Sequence, residues 1–455
     1  MTALTLSFVQ DALQVPSHHA DTQVVRIVTD SRQVQAGDVF VALVGEQFDG
    51  HDYVAAVLEQ GAAAVIVSRE VVAGDARQII VEDTLAALGQ IAHAWRMKLN
   101  PKVIALTGSS GKTTVKEMVA AILRVAFGEA AVLATAGNFN NEIGMPLTIL
   151  RLQDAHQVMV LEMGMNHFGE IQRLTHIAQP DVVLVNNALR AHIGNDFNGV
   201  DDIARAKSEI YSGLKPNGMA ILPADDANLA IFQAAAQRFA QTTFGLAQGD
   251  VCAKNVVLSP LASDFIVTDG QEEVAVHLPV AGEHNIYNAV AAVSLVRALG
   301  VQWECIAQGL ATFANVKGRL QGFTSEAGAL VIDDTYNANP DSMKAALDVL
   351  SRFDGAKVFV MGAIGELGED APNLHAEVGQ YANAIGLQAL FGLGEDARFA
   401  CEACEVGQYF EDVAALIEAL REYNMAGNTL LIKGSRFMKW NVWLKLYCQL
   451  RINRT

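Results

Sequence analysis

The chain has 455 residues, of which 51% are hydrophobic and 18% charged, so it can bury large cores and is not a disordered protein. Because a single core stops growing near roughly 250–300 residues, this length predicts two or three domains. The formal net charge is −18, from 32 Lys and Arg against 50 Asp and Glu. That charge argues against a nucleic-acid partner, and it requires local cations to bind any anionic substrate.

The cysteines and the N-terminal residues indicate the cellular compartment in which the protein works. Five scattered cysteines fit a reducing environment. The first residues lack the basic start and long apolar core of a secretory signal, and no apolar run is long enough to cross a membrane. We therefore expect a cytoplasmic protein without a transmembrane segment. The apolar and basic segment at residues 436–451 is predicted to be a closing helix rather than a membrane-surface helix.

Alternating apolar runs and helical patterns divide the chain into three α/β blocks, predicted at residues 1–100, 101–315 and 316–455. The first block is predicted to hold strands at Val24–Val28, Val39–Val44 and Ala63–Val67 and a helix at Tyr53–Gln60. The second is predicted to hold the parallel strands Val103–Leu106, Val158–Glu162, Val182–Val185 and Met219–Leu222. The third alternates strands at Ala329–Ile332, Lys357–Met361, Ala389–Phe391 and Thr429–Ile432 with helices at Ser342–Ser351, Ala376–Ala384 and Glu411–Leu420.

The most informative motif lies at the start of the second block, between its first strand and a helical pattern. It reads Thr107-Gly108-Ser109-Ser110-Gly111-Lys112-Thr113-Thr114. A strand, a glycine-bearing turn and a helix N-terminus together present backbone N–H groups to phosphate. Lys112 adds a charge for the β- and γ-phosphates, and the Thr113 hydroxyl can bind Mg²⁺. The usual motif has a glycine five positions before Gly111, where this chain has Leu106. The motif predicts ATP binding but not its purpose.

Ligands of parallel α/β sheets bind beyond the carboxyl ends of the strands. The second predicted strand of this sheet ends in Glu162, a hard oxygen ligand suited to Mg²⁺. The third runs into Asn186-Asn187 and then His192. Taken alone, Glu162 could be a surface carboxylate and His192 a solvated loop residue, but both converge on the edge that carries the phosphate loop. By pattern alone, Lys207 is a lysine on the surface of a helix.

Polar motifs in the other blocks also follow strands or open helices. Asn285 and Asn288 share a helix face, so their amides could bind the edge of one base, although a cap and a turn are equally good explanations. Arg319 stands at a domain junction, where a hinge could bring it onto phosphate. The segments at 333–340 and 433–436 follow predicted buried strands and are unusually polar for such positions. This polarity indicates that they bind a ligand.

Together these segments resemble the Mur ligase family, the ATP-dependent amide-bond ligases that build the peptidoglycan stem peptide. The resemblance covers nearly the whole chain in order. Its motifs are Thr-Asp-Ser-Arg at 29–32, the phosphate loop at 107–114, Leu-Glu-Met-Gly-Met-Asn at 161–166, Ala-Lys-Ser-Glu-Ile at 206–210, His-Asn-Ile-Tyr-Asn-Ala at 284–289, Asp-Asp-Thr-Tyr-Asn-Ala-Asn-Pro at 333–340 and Lys-Gly-Ser-Arg at 433–436. It implies three domains: a small α/β domain for a UDP-sugar, a central parallel-sheet ATPase domain and a Rossmann-like ligase domain.

Within the family, the last two motifs resemble those of the ligases that join D-alanyl-D-alanine to UDP-N-acetylmuramoyl-tripeptide. The alternative is the sibling ligase that adds the third stem residue, whose Asp-Asn-Pro-Arg and Lys-Gly-His motifs are not in this chain. The resemblance implies an acyl-phosphate intermediate, ATP and two Mg²⁺ ions as cofactors, and these two peptides as partners; we expect a monomer. A GTPase-like switch or a binding module remain as other classes, but the chain lacks Asn-Lys-x-Asp, and a binding module has no need of Lys112, Glu162 and Lys207 together.

The resemblance also implies roles for individual residues. Lys112, Lys207 and His192 would be catalytic. Thr113 and Glu162 would hold one Mg²⁺, and His192 with a carbamylated Lys207 would hold a second. The remaining residues would bind substrates: Ser31 and Arg32 the uridine diphosphate, Asn138, Asn140 and Asn141 the muramoyl peptide, Asn285 and Asn288 adenine, Arg319 the phosphates, Asp334 the ribose, and Asn337, Asn339, Lys433, Ser435 and Arg436 the dipeptide.

Overall fold

The computed structural model describes residues 2–16, 22–191, 196–438 and 440. Its first block contains α1 (Leu6–Ala12), β1 (Ile27–Val28), β2 (Val39–Val41), α2 (Val54–Glu59), β3 (Ala64–Val67), β4 (Gln78–Ile80) and α3 (Thr84–Leu99). The four strands form one parallel sheet in the order β1-β2-β3-β4. The strand predicted at Val39–Val44 ends at Val41, since the chain turns away there and leaves the Val44 side chain in solvent.

The second block is a large mixed sheet covered by helices. Its elements are β5 (Lys102–Thr107), α4 (Lys112–Phe127), β6 (Val132–Ala134), α5 (Gly144–Ile149), β7 (Val158–Glu162), α6 (Glu170–Ala178), β8 (Val182–Val185), α7 (Val200–Ser208), β9 (Met219–Pro223), α8 (Leu229–Ala235), β10 (Ala240–Gly245), β11 (Val251–Leu258), β12 (Ser263–Thr268), β13 (Glu273–Leu278), α9 (Glu283–Arg297) and α10 (Trp303–Ala311). The strand order is β13-β12-β11-β10-β9-β8-β5-β7-β6. Strands β5 to β11 run parallel, but β12 and β13 add antiparallel pairs that the sequence analysis did not predict.

The third block holds a six-stranded sheet in the described part of the chain, in the order β14-β15-β19-β16-β17-β18. Its elements are β14 (Gln321–Thr324), β15 (Leu330–Asp334), α11 (Pro340–Ser351), β16 (Lys357–Gly362), α12 (Ala371–Ala384), β17 (Ala389–Leu393), α13 (Ala397–Glu402), β18 (Gly407–Phe410), α14 (Val413–Leu420) and β19 (Thr429–Lys433). Only β14 pairs antiparallel here, so the predicted alternation of strands and helices is confirmed.

The central strands of the second block are buried on both faces, which explains their uninterrupted apolar sequences. Ile104 and Leu106 of β5 face a core shared with α4, α9 and α10, whereas Val103 and Ala105 face the core beneath α3, α5 and α6. Strand β5 lies between β7 and β8, with Leu106 opposite Glu162. The phosphate loop and Glu162 therefore leave the sheet at the same edge.

Each sheet lies inside one of the three predicted blocks, and the proposed boundaries at residues 100 and 315 fall between the sheets. Among the described residues, the structure has no helix long and apolar enough to span a bilayer. Most of the helix predicted at residues 436–451 falls outside the described residues; Arg436–Met438 form a 3-10 turn.

The first and second blocks are joined by a buried arginine at the end of α3. The Arg96 side chain is fully buried and donates to the carbonyl oxygens of Ala178 at 2.7 Å and Gln179 at 2.9 Å. These carbonyls lie at the C-terminal end of α6, where backbone oxygens lack partners within the helix. The positive charge also suits the negative end of the helix dipole.

We expect Arg96→Ala to lower the free energy of unfolding by about 2–4 kcal/mol, because two charge-assisted hydrogen bonds are lost and two buried carbonyls become unpaired. The exposed Arg238, replaced by alanine, is the matched control and should change stability by less than about 0.5 kcal/mol. Urea unfolding, monitored by circular dichroism, measures the free energy of unfolding of both variants. Equal midpoints for the two variants would contradict the assigned role of Arg96.

Candidate active site

A cavity of about 560 Å³ opens where the phosphate loop faces the third block. Most of the residues predicted from the sequence to bind substrate, nucleotide or metal line it. These are Ser109, Ser110, Gly111, Lys112, Thr113, Asn138, Asn140, Asn141, Glu162, Lys207, Arg319, Asn337, Asn339, Lys433 and Arg436. The fold thus gathers side chains from positions more than 300 residues apart into one site.

The phosphate loop is held from behind by two asparagines that follow β8. The Ser110 N–H donates to the side-chain oxygen of Asn187 at 2.9 Å, and the Asn186 amide donates to the Ser110 carbonyl at 2.9 Å. Gly111 has a φ of 81° and lies so close to this support that a Cβ would come within 2.3 Å of Asn288 Oδ1. Only glycine fits both the backbone conformation and the available space.

Two lysines enter the cavity from the second block. The Lys112 ammonium donates to the Gly108 carbonyl at 2.6 Å, and burial lowers its pKa while the charge of Glu162 raises it. Lys207 is only 1% exposed, so its prediction by pattern as a surface lysine is wrong. Burial is the main cause that places the pKa of Lys207 well below its usual range, and the nearby charge of Lys112 lowers it further. Burial therefore disfavours the charged form of Lys207, because an isolated ammonium is costly to bury.

Glu162 is 2% exposed and lies at the end of β7. The Asn140 amide donates to its Oε1 at 2.8 Å, whereas Oε2 is buried and has no hydrogen-bond partner in the described part of the chain. The hydroxyl of Thr113, at the start of α4, lines the same cavity and accepts a hydrogen bond from Arg319 at 3.0 Å. An unsatisfied carboxylate oxygen and a hydroxyl are donors that suit a hard divalent cation.

The third block contributes two arginines that flank one tyrosine ring. The guanidinium of Arg319 lies 4.4 Å from the centre of the Tyr336 ring, and that of Arg436 lies 5.7 Å from it. The aromatic ring stabilises both cations through its negative face. Asn339 caps α11 through its side-chain oxygen, while its amide nitrogen donates to the Ser110 hydroxyl at 3.1 Å. The third block therefore contacts the phosphate loop directly.

Several predicted residues lie outside the lining of this cavity. Asn285 donates to the Ala281 carbonyl just before its helix begins, and Asn288 accepts a hydrogen bond from Asn186 behind the phosphate loop. Asp334 forms a buried ion pair with Lys433 at 2.6 Å, and the hydroxyl of Ser435 accepts from the Gly365 N–H at 2.9 Å. Gly108 and Thr114 belong to the phosphate loop but do not line the cavity. His192 lies outside the described residues.

Ser31 and Arg32 lie away from the cavity, in a 3-10 turn of the first block. The exposed Arg32 side chain pairs with Asp30 at 2.8 Å. Asp30 lines a second groove, of about 1030 Å³, between β1 and the segment at residues 147–156 of the second block. Ser31 and Arg32 therefore do not line the cavity that contains the phosphate loop.

Some residues of the site are recognisable as such only from their positions in space. Tyr336, Glu366, Asn166 and Ser342 line the cavity but match no nucleotide or metal pattern. Asn186 and Asn187 were noted only as the end of a strand, although they hold the phosphate loop. An asparagine pair directly after a central parallel strand is a signal that could have identified this role.

Comparison with known proteins agrees with this geometry. Models of three Mur ligase domains match the chain in order: the Mur ligase family catalytic domain at residues 23–96, the middle domain at 106–296 and the glutamate ligase domain at 318–436. The chain belongs to the Mur ligase family. The resemblance suggested by the sequence motifs is confirmed, as is the α/β architecture of three Mur ligase domains.

The Mur ligase relatives include proteins of known name and structure. UDP-N-acetylmuramoyl-tripeptide--D-alanyl-D-alanine ligase of Haemophilus influenzae is 40% identical over 426 residues, which cover 92% of each chain. A crystal structure of MurF from Acinetobacter baumannii superposes with a TM-score of 0.92 at 40% identity, covering 99% of both chains. MurF of Thermotoga maritima in complex with ADP has a TM-score of 0.84 at 30% identity and covers 93% of this chain and 97% of its own.

We expect Gly111→Ala to weaken ADP binding at least tenfold. The left-handed backbone alone costs about 1–2 kcal/mol for alanine, and the Cβ would also displace Asn288 and Asn186 from behind the loop. Gly270→Ala is the control, because Gly270 has a φ of 83° with nothing within 4 Å of its Cβ position. Titration calorimetry with ADP measures both. Unchanged affinity in Gly111→Ala would show that the loop tolerates the side chain.

Proposed function

We propose that this chain is an ATP-dependent ligase that joins D-alanyl-D-alanine to UDP-N-acetylmuramoyl-tripeptide, giving the pentapeptide precursor of peptidoglycan, ADP and phosphate. The observation that carries the proposal is the single cavity in which the phosphate loop of the second block meets polar residues of the third block. The similarity to ligases of this name along nearly the whole chain supports it. The sibling that adds the third stem residue is not favoured by these relatives.

The reaction needs an activated carboxyl group, because a carboxylate does not acylate an amine. A carboxylate oxygen of the tripeptide attacks the γ-phosphorus of ATP, and ADP leaves. The free amine of D-alanyl-D-alanine then attacks the carbonyl carbon of the acyl phosphate, loses a proton and expels phosphate. Two anions approach each other in the first step, so the positive charges of Lys112 and Arg319 stabilise the transition state.

Mg²⁺ fits the donors that line the cavity. Thr113 and Oε2 of Glu162, which has no hydrogen-bond partner among the described residues, would hold one ion, which supplies Lewis-acid stabilisation of phosphate charge. His192 and a modified Lys207 would hold a second. The Asn140 amide fixes one oxygen of Glu162, so the other stays directed away from that contact. Asn140 thus serves the carboxylate in addition to the role proposed for it beside the muramoyl peptide.

We also propose that Lys207 is carbamylated, and its buried environment supports this proposal. A neutral lysine amine attacks CO₂ and loses a proton, which leaves a carbamate anion on Nζ. Burial of Lys207 favours the neutral amine that this reaction requires. The carbamate would carry the oxygen ligands that a lysine lacks, and its negative charge would compensate the neighbouring Lys112.

The substrates would lie along the cavity and beyond it. Asn138 and Asn141 line the side where we place the muramoyl peptide, while Asn337, Asn339, Lys433 and Arg436 line the side of the dipeptide. Ser31 and Arg32 would contact the uridine diphosphate, and Ser435 would shape the dipeptide side through the turn at Gly365. Asn285 and Asn288 for adenine and Asp334 for ribose remain proposals; the last requires the ion pair with Lys433 to open. We place the reaction in the cytoplasm, where ATP and UDP-linked precursors are available, and propose a monomer.

Purified protein with ATP should release ADP at an appreciable rate only when UDP-N-acetylmuramoyl-tripeptide and D-alanyl-D-alanine are both present. The reason is that the acyl phosphate turns over only when an amine accepts the acyl group. A coupled ADP assay and mass spectrometry of the nucleotide product test this. The control for the sibling activity replaces the tripeptide precursor by one with two stem residues and the dipeptide by a free diamino acid. Product formation with the diamino acid alone would contradict the proposal.

We expect Lys207→Ala to lower the turnover number by about 100-fold or more, since a charged group beside the transferred phosphoryl is lost. Added acetate or propionate should restore part of the activity by supplying carboxylate oxygens in the space left. Lys215→Ala, which removes a lysine paired with Asp181, is the control and should not respond to these acids. Normal turnover in Lys207→Ala would rule out a catalytic role.

A further inference from the structure

One arginine of the second block forms the densest set of ionic contacts with the third block. Arg190 follows β8, and its guanidinium donates to Asp341 Oδ1 at 2.6 Å and to Glu377 at 2.8 and 3.0 Å. Its backbone N–H also donates to Asp341 at 3.3 Å. Asp341 lies in α11 and Glu377 in α12, so one side chain joins two helices of another domain.

The charges in this cluster are balanced. Lys344 of α11 also contacts Glu377, so two cations face two carboxylates. The Arg190 side chain is 28% exposed, and it binds Glu377 through two nitrogen–oxygen contacts, the arrangement in which arginine pairs are strongest. The hydrogen bond from Arg190 is the largest cause that lowers the pKa of Glu377 to about 2. The contact with Arg190 therefore favours the ionised form of Glu377.

The segment that carries Arg190 also holds the phosphate loop. Leu189 donates its backbone N–H to the Ser109 hydroxyl at 2.9 Å, and that hydroxyl donates to the Leu189 carbonyl at 3.2 Å. The side chain of Asn187, two positions earlier, accepts a hydrogen bond from the Ser110 N–H and donates one to the Ser110 carbonyl. A displacement of the third block at Asp341 would thus be transmitted over three residues to the backbone that faces ATP.

We propose that Arg190 is a positioning residue that holds the third block against the phosphate loop while the acyl phosphate exists. This inference rests on the proposed ligase function. An acyl phosphate hydrolyses when water reaches it, and residues of both blocks line the cavity that has to exclude water. Loss of the ionic contacts of Arg190 would let the second and third blocks move apart at the cavity without removing any group that binds ATP.

The test is the ratio of phosphate released to pentapeptide formed. In the unmodified protein this ratio should be one, because each acyl phosphate is captured by the dipeptide. In Arg190→Ala we expect it to rise at least twofold while pentapeptide turnover falls about tenfold, as a small misplacement of reacting groups can cause. The affinity for ADP should change less than threefold. A loss of folded protein alone would reduce both products equally and leave the ratio at one.

Two further variants and a control complete the experiment. Arg190→Lys keeps the charge but cannot reach both carboxylates. Its ratio of phosphate to pentapeptide should therefore lie between those of the unmodified protein and Arg190→Ala. Exchanging the charges in R190E/D341R should return the ratio toward one, and it serves as the second test if Arg190→Ala does not fold. Arg421→Ala removes an exposed arginine that pairs with Glu418 within one domain, and it should behave as the unmodified protein.

The outcomes separate the two proposals. No pentapeptide from the unmodified protein would overturn the ligase function itself. Pentapeptide formation by the unmodified protein together with a ratio of one in Arg190→Ala would overturn only the role of Arg190. A raised ratio that R190E/D341R does not reverse would also overturn it, because the effect would then not come from the ionic contact.

Discussion

The site depends on the register of three parallel strands. β5 lies between β7 and β8, so the phosphate loop, Glu162 and the Asn186–Asn187 pair leave the sheet side by side. Hydrogen bonds between these segments then hold the loop in a shape that the glycine-containing turn cannot maintain alone. The helix α9 closes the support from the far side through Asn288. Every other element of the site is placed relative to this edge.

The charges in the cavity are arranged locally, because the whole chain has a net charge of −18 and repels anions at long range. Lys112 donates to a loop carbonyl, Arg319 to a hydroxyl and Lys433 to Asp334. In the proposed reaction, phosphate oxygens would replace the acceptors of Lys112 and Arg319, and the dipeptide would replace that of Lys433, so each cation exchanges one partner for another. The gain in binding energy is then smaller than a count of phosphate contacts suggests, but none of these three cations has to be kept buried without a partner.

Most of the fold was accessible from the sequence, since long apolar runs and strand–turn–helix patterns depend on local chemistry. The sequence also identified the phosphate loop, Glu162 and the motifs at 333–340 and 433–436, because each lies at or directly after the end of a predicted strand. The antiparallel pairs of β11, β12 and β13 were missed because these strands mix buried with exposed positions and lack the continuous apolar runs of the central parallel strands. Lys207 was misjudged by pattern because a helix sequence does not show which neighbouring domain or strand covers it. The ionic contacts of Arg190 with Asp341 and Glu377 join residues that are distant in sequence, and no spacing rule reveals such contacts.

Asn339 illustrates how one side chain ties two domains together. Its oxygen accepts the Ser342 N–H and begins α11, while its nitrogen reaches the hydroxyl of Ser110 in the phosphate loop. Aspartate would preserve the first contact but has no nitrogen for the second, and serine is too short to span both. The start of a helix in one domain is thereby chemically coupled to the nucleotide loop of another. Residues that can replace one another at most helix N-termini are therefore not equivalent at position 339.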